Sequence, residues 1–188
     1  MKWNNVKADI RPLSIIEAYG SQPVGDLLSL ISTTKKIPFI YIKYEIKKQI
    51  LEHLNTGRTE LGGLLIGSVV AIGGLNDNII AINVTDSIAS VNFESTAVSL
   101  SMSSDVWESA SKLSTSTSFV VGWYHSHPNL GAFFSGTDRK TQQDFFNSKY
   151  SIGLVIDPVR KEECCFLGEY SDDIPTEFIR VRDELALV

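Results

Sequence analysis

Two of the three histidines, His125 and His127, flank Ser126. They follow Phe119 to Tyr124, a near-continuous apolar run that reads as a buried strand. Side chains at i and i+2 of a strand share a face, so both imidazoles can address one point a few Å away. Pro128 turns the chain off the strand, and Asn129-Leu130-Gly131 gives it a loop on which to return. Asp138 stands eleven residues after His127, at the start of an expected helix. Two imidazoles and one carboxylate, with a water in fourth place, are the open ligand set of a catalytic zinc rather than the closed set of a structural one. Taken alone, the His-x-His pair also fits two half-exposed histidines at a strand end.

The elements that must position these residues are legible as periodicities. Pro38 to Tyr44 reads as a strand. Glu45 to Asn55 places Ile46, Ile50 and Leu54 on one stripe of a helix, which Asn55-Thr56-Gly57 stops. On that helix His53 lies off the apolar stripe and is expected as a solvated surface residue. Glu60 to Ile72 and Ile79 to Ile88 read as two strands joined by a turn-rich connection. A weaker strand is expected near Val98 to Met102. Ser104-Asp105 caps a helix through about Leu113, Thr137-Asp138 opens another to about Asn147, and Ile152 to Ile156 and Cys164 to Tyr170 close a hairpin around Asp157-Pro158. The sum is a mixed α/β domain. An N-terminal extension over 1–37, with apolar clusters at Leu13 to Ala18 and Leu27 to Ile31, precedes the domain at 38–170, and a tail covers 171–188.

The chain has 188 residues, 43% hydrophobic and 21% charged, with 13 Gly and 6 Pro, inside the globular range. Such a length buries about 70% of the surface of the unfolded chain, enough for a core without disulfides. Its 17 basic and 22 acidic residues give a net charge of -5 without a basic run, which argues against a nucleic-acid partner. The first nine residues hold no apolar h-region. Leu64 to Leu75 is broken by Gly67, Ser68, Gly73 and Gly74 and is too short to span a bilayer. No membrane partner is therefore expected, and the expected location is cytoplasmic. Adjacent Cys164 and Cys165 in a strand point to opposite faces, one inward and one outward, and so form no disulfide.

The spacing His125-Ser126-His127-Pro128, then Ser135, then Asp138, with Glu60 upstream, resembles the JAMM (MPN-plus) metallo-isopeptidase motif. Gly122-Trp123-Tyr124 before the histidines and Leu130-Gly131 after them are similar to the deubiquitinase-like members, and Glu60 followed by Leu61-Gly62-Gly63-Leu64 resembles that family's glutamate-bearing strand. The resemblance spans about Pro38 to Tyr170. It implies a single MPN/JAMM-type domain with a curved, mostly antiparallel sheet flanked by helices. It also implies one Zn2+ per chain held by His125, His127 and Asp138, with catalytic roles for Glu60 and Ser135. In those roles Glu60 takes a proton from the attacking water and passes it to the leaving amine, and Ser135 donates its hydroxyl to the developing oxyanion. Ser135-Gly136-Thr137-Asp138 also reads as a helix N-terminus, and a Ser135 spent on capping is expected not to face the metal. Of Phe133 and Phe134, one is expected in the core and one in the groove.

The implied activity is hydrolysis of the amide after the C-terminus of a ubiquitin-like modifier. The implied partners are that modifier, its conjugates and other conjugation-pathway proteins. An extended modifier tail would add to a sheet edge beside the metal. Chain-selective relatives carry a long insertion after the helix that follows the aspartate, and the short hairpin from Ile152 to Tyr170 departs from that pattern. Two further classes stay open: a RadC-like DNA-repair protein, whose loop typically runs Pro-Ser-Gly where Asn129-Leu130-Gly131 stands here, and a non-catalytic MPN scaffold, which usually lacks a ligand that this chain retains.

Overall fold

A computed structural model describes residues 9–20, 37–90, 93–95, 100–102 and 104–183. The strands are β1 (Phe39–Lys43), β2 (Gly62–Ile72), β3 (Asn78–Ala89), β4 (Phe93–Ser95), β5 (Leu100–Met102), β6 (Phe119–Ser126), β7 (Ile152–Asp157), β8 (Glu162–Leu167), β9 (Asp172–Ile174) and β10 (Ile179–Arg182). The helices are α1 (Ile15–Tyr19), α2 (Tyr44–Leu54), α3 (Ser104–Leu113) and α4 (Gly136–Phe145). Eight strands form one sheet in the order β10-β1-β3-β2-β6-β7-β8-β9, and β4 and β5 pair separately. Four of the seven pairings in the large sheet are antiparallel, and β10-β1, β1-β3 and β6-β7 are parallel. This is the curved, mostly antiparallel sheet that the family resemblance implies.

The two faces of the sheet carry separate cores. On one, Ile46, Ile50 and Leu54 of α2 meet Ile40, Ile42, Leu65, Val69, Ile82 and Val84, so the predicted stripe is the packed one. On the other, Val106 and Ala110 of α3 join Leu64, Ile66, Trp123, Phe134, Phe146 and Val155. Burying each such aliphatic side chain stabilises the fold by about 1.5–3 kcal/mol. The odd residues Leu65 and Val69 of β2 face α2 and the even residues Leu64 and Ile66 face α3, as alternation requires.

Three expectations need correction. The segment expected as a tail supplies β9, a 3₁₀ turn at Thr176–Phe178 and β10, which pairs in register with β1 from Ile40↔Ile179 to Lys43↔Arg182. Phe178 packs on Phe39 at 5.3 Å, and the Arg182 guanidinium lies 4.7 Å over the Tyr41 ring. Among the described residues the short Ile-Arg-Val-Arg strand pairs with β1, far away in sequence, so periodicity alone could not show where it pairs. In the expected N-terminal extension, Leu13 bridges to Val70 and Tyr19 is buried; the cluster Leu27 to Ile31 lies outside the described residues. His53 is half-buried rather than solvated, its Nδ1 3.0 Å from the Tyr124 hydroxyl, because that hydroxyl crosses the α2 face and finds its partner there. Burial holds the His53 pKa below its ordinary value.

Candidate metal centre

A β-bulge decides which way the histidines face. Gly122 of β6 stands opposite Leu65 and Val120 opposite Ile66, so Val121 is an extra residue against β2. Before it, Phe119 and Val121 face α2; after it, Tyr124 faces α2 and Trp123 faces α3. The added residue thus re-phases the strand and turns Trp123, and with it His125 two positions on, toward the helices α3 and α4. At Gly122 a Cβ would lie 2.0 Å from the Ile152 carbonyl oxygen, so the close approach of β7 here requires glycine. Ser126, between the histidines, points away: its Oγ accepts from Leu61 N at 3.1 Å and its N–H donates to Leu61 O at 2.9 Å. That exchange pins the residue next to Glu60.

Asp138 reaches the site as the N3 residue of α4. Ser135 is the N-cap, and the two form a capping box: Ser135 Oγ accepts from Asp138 N at 3.2 Å, and Asp138 Oδ2 accepts from Ser135 N at 2.6 Å. Ser135 does serve as the cap, and its side chain also hydrogen-bonds the Asp138 carboxylate, so the cap and the expected ligand form one unit.

The three expected ligands converge. His125 Nε2 lies 3.2 Å from His127 Nε2 and 3.2 Å from Asp138 Oδ1, and His127 Nε2 lies 3.5 Å from Asp138 Oδ2. Donor atoms at zinc-ligand distance from a tetrahedral centre stand about 3.3 Å apart, so these three residues are spaced to hold one cation between them. These three residues form the one metal-capable group among the described residues. Burial presses the His125 pKa below its usual value, which favours the neutral imidazole that metal binding requires. For His127 burial pulls the same way, but the hydrogen bond and charge of Asp138, with Glu60 beyond, outweigh it and raise the pKa. Burial would raise the Asp138 pKa, yet both histidines and Ser135 hold it well below the carboxylate range. Glu60, half-buried just before β2, places Oε1 3.8 Å from His127 Nε2, adjacent to the cluster but outside it. Phe134 is in the core, whereas Phe133 is 47% exposed and covers the His127 ring at 4.9 Å.

Asp157 is a residue that sequence reasoning passed over except as part of a turn. Its fully buried carboxylate accepts from the backbone N–H groups of Asn129, Gly131, Val159 and Arg160 at 2.7–3.1 Å. It thereby clamps the loop that leaves His127, where Asn129 and Gly131 take positive φ of 62° and 95°. Desolvation would raise its pKa, but the four donors hold it at about 2, below the ordinary 3.8. A depressed carboxylate pKa means stabilisation that is present above the unfolded value and lost as the pH falls through the folded one. The difference in melting temperature between the parent chain and Asp157→Asn should therefore be largest above about pH 4 and shrink toward pH 2. A difference independent of pH across that window would contradict the clamp.

A mixed sheet that brings two imidazoles, a helix-borne carboxylate and a neighbouring glutamate to one end defines a domain of the MPN type. The chain belongs to the JAB1/Mov34/MPN/PAD-1 ubiquitin protease family, whose profile matches residues 37–149. It is 31% identical over 128 residues to the Saccharomyces cerevisiae ubiquitin carboxyl-terminal hydrolase RPN11, covering 64% of this chain and 39% of that one. It is 34% identical over 122 residues to the Arabidopsis thaliana COP9 signalosome complex subunit 5a, covering 60% and 31%. The chain thus spans less than two-fifths of the length of these curated relatives. A solution structure of a Desulfitobacterium hafniense protein shares the fold, with a TM-score of 0.56 and 20% identity over 77% of this chain and 94% of that one.

Proposed function

We propose that the chain is a zinc-dependent isopeptidase or peptidase that hydrolyses the amide after the C-terminus of a ubiquitin-like modifier, with Ser135 and Glu60 as its catalytic side chains. The observation that carries this reading is the convergence of His125, His127 and Asp138 beside Glu60. Zinc held by the three ligands would supply a water acidified from a pKa of 15.7 to about 7 and a Lewis acid for the scissile carbonyl.

The chain's own groups do the rest. Glu60 accepts a proton from the attacking water as the new C–O bond forms, and returns it to the amide nitrogen as the C–N bond breaks, so the amine leaves neutral. Ser135 donates its O–H to the oxygen on which negative charge develops. Phe133 covers His127 and limits water at that side of the site. Asp157 keeps the His127 loop in place.

Ser135→Ala should lower the rate by about 10²- to 10³-fold, because its target charge exists only in the transition state. It should also cost about 1 kcal/mol of stability through the lost cap. A lower melting temperature with unchanged activity per folded molecule would leave Ser135 only the cap.

The test of the function uses ubiquitin carrying a C-terminal fluorogenic amide, a ubiquitin–lysine isopeptide conjugate, and duplex and single-stranded DNA. Release of the amine or lysine from either ubiquitin substrate supports the proposal. DNA cleavage with no conjugate cleaved favours the RadC-like reading, and no hydrolysis with full zinc occupancy favours a scaffold.

A further inference from the structure

Trp123 lies flat on the His125 imidazole, with ring centroids 4.5 Å apart and planes 7° from parallel. Its other neighbours continue a column: Phe146 at 5.7 Å and 14°, and Trp107 stacked on Phe146 at 5.8 Å and 24°. Phe134 closes the side, tilted against both Trp123 and His125. Trp123 has no exposed surface, so its indole N–H needs an internal acceptor. It donates to Gln142 Oε1 at 2.7 Å.

Gln142 is itself fully buried and held on its other side. Its Nε2 donates toward the carbonyls of Phe146, Ser151 and Gly168 at 3.0, 3.1 and 3.2 Å. Three acceptors on the nitrogen side and one N–H on the oxygen side admit a single orientation of the amide. Gln142 also stands four residues after Asp138 on α4, hence on the same helix face. The helix that carries one ligand therefore also anchors the ring against which another ligand rests.

We infer that Trp123 and Gln142 are positioning residues for the metal centre: Gln142 fixes the indole, and the indole fixes the plane of the His125 ring so that its Nε2 meets His127 and Asp138. This inference rests on the reading of His125, His127 and Asp138 as zinc ligands. An aliphatic side chain at 123 fills space without presenting a plane, so the imidazole gains rotational freedom that zinc binding must then remove. Loss of such support around a ligand costs about 10- to 100-fold in metal affinity.

The experiment measures zinc affinity of the folded full chain by competition with a chromophoric chelator. Trp123→Leu should weaken zinc binding by about 10- to 100-fold, while Trp123→Phe, which keeps an aromatic plane, should recover most of that loss. Leu65→Ala, a core truncation on the opposite face, should lower the melting temperature yet leave zinc affinity unchanged. Affinity in Trp123→Leu equal to that of the parent, or a loss in Leu65→Ala as large as in Trp123→Leu, overturns the inference. Because Trp123→Leu can fail to fold, a second measurement keeps Trp123 and removes the other two tryptophans as Trp3→Phe/Trp107→Phe. Zinc should then produce a saturable change in Trp123 fluorescence that His125→Ala abolishes, and emission that stays flat while zinc binds stoichiometrically overturns the inference. A parent chain that binds no zinc refutes the proposed function itself, a result distinct from an unaltered affinity in the variants.

Discussion

Glu60→Gln is expected to retain one zinc per chain and to lose about 10²- to 10⁴-fold in turnover, the range that one general acid–base group contributes. The glutamate sits 3.8 Å from His127 Nε2 with its side chain 25% exposed, close enough to exchange a proton with a water in the site and too peripheral to complete the ligand set. The amide keeps the shape and much of the hydrogen bonding but cannot accept and return a proton. Stability should hardly change, because among the described residues no backbone cap or core contact depends on this carboxylate. Metal analysis and a turnover assay on the same preparation check both halves. A variant stripped of zinc would make Glu60 a ligand, and one with normal turnover would remove it from the chemistry.

A second large effect is expected at Asp138, where one carboxylate both faces the histidines and caps α4. Two substitutions separate these duties. Asp138→Asn keeps an oxygen for Ser135 N and removes the charge, so zinc and turnover should be lost while the metal-free protein melts close to the parent. Asp138→Ala loses the reciprocal cap as well, at a further cost of about 1 kcal/mol. Elemental analysis and thermal melts of the metal-free proteins distinguish the two. If Asp138→Asn holds zinc as tightly as the parent, the ligand set is not the one described.

The site was legible because it is written locally. His125 and His127 share one strand end, and Ser135 and Asp138 share one helix start, so period-2 and capping patterns place them without knowledge of the tertiary fold. The α2 stripe of Ile46, Ile50 and Leu54 was readable for the same reason. What stayed hidden depends on contacts between distant segments. The bulge at Val121 requires the register of β2 against β6. Gln142 reads as a polar helix residue until Trp123, nineteen positions earlier, is placed beneath it. His53 reads as surface until the Tyr124 hydroxyl arrives from β6, and the β10-β1 pairing joins segments far apart in the chain, Ile40 with Ile179. The cysteines point to opposite faces as expected, but neither is turned outward: Cys165 is buried in one core and Cys164 packs, partly buried, against the other.

Chelation tests the central claim most directly. Burial pushes the Cys165 thiol up to about 12 and raises Cys164 as well, so neither offers a thiolate nucleophile near neutral pH. Hydrolysis of the ubiquitin C-terminal amide by the purified chain should therefore stop when a chelator removes the metal, return when one equivalent of zinc is restored, and persist after iodoacetamide treatment. Activity that survives metal removal and disappears on alkylation would contradict the account.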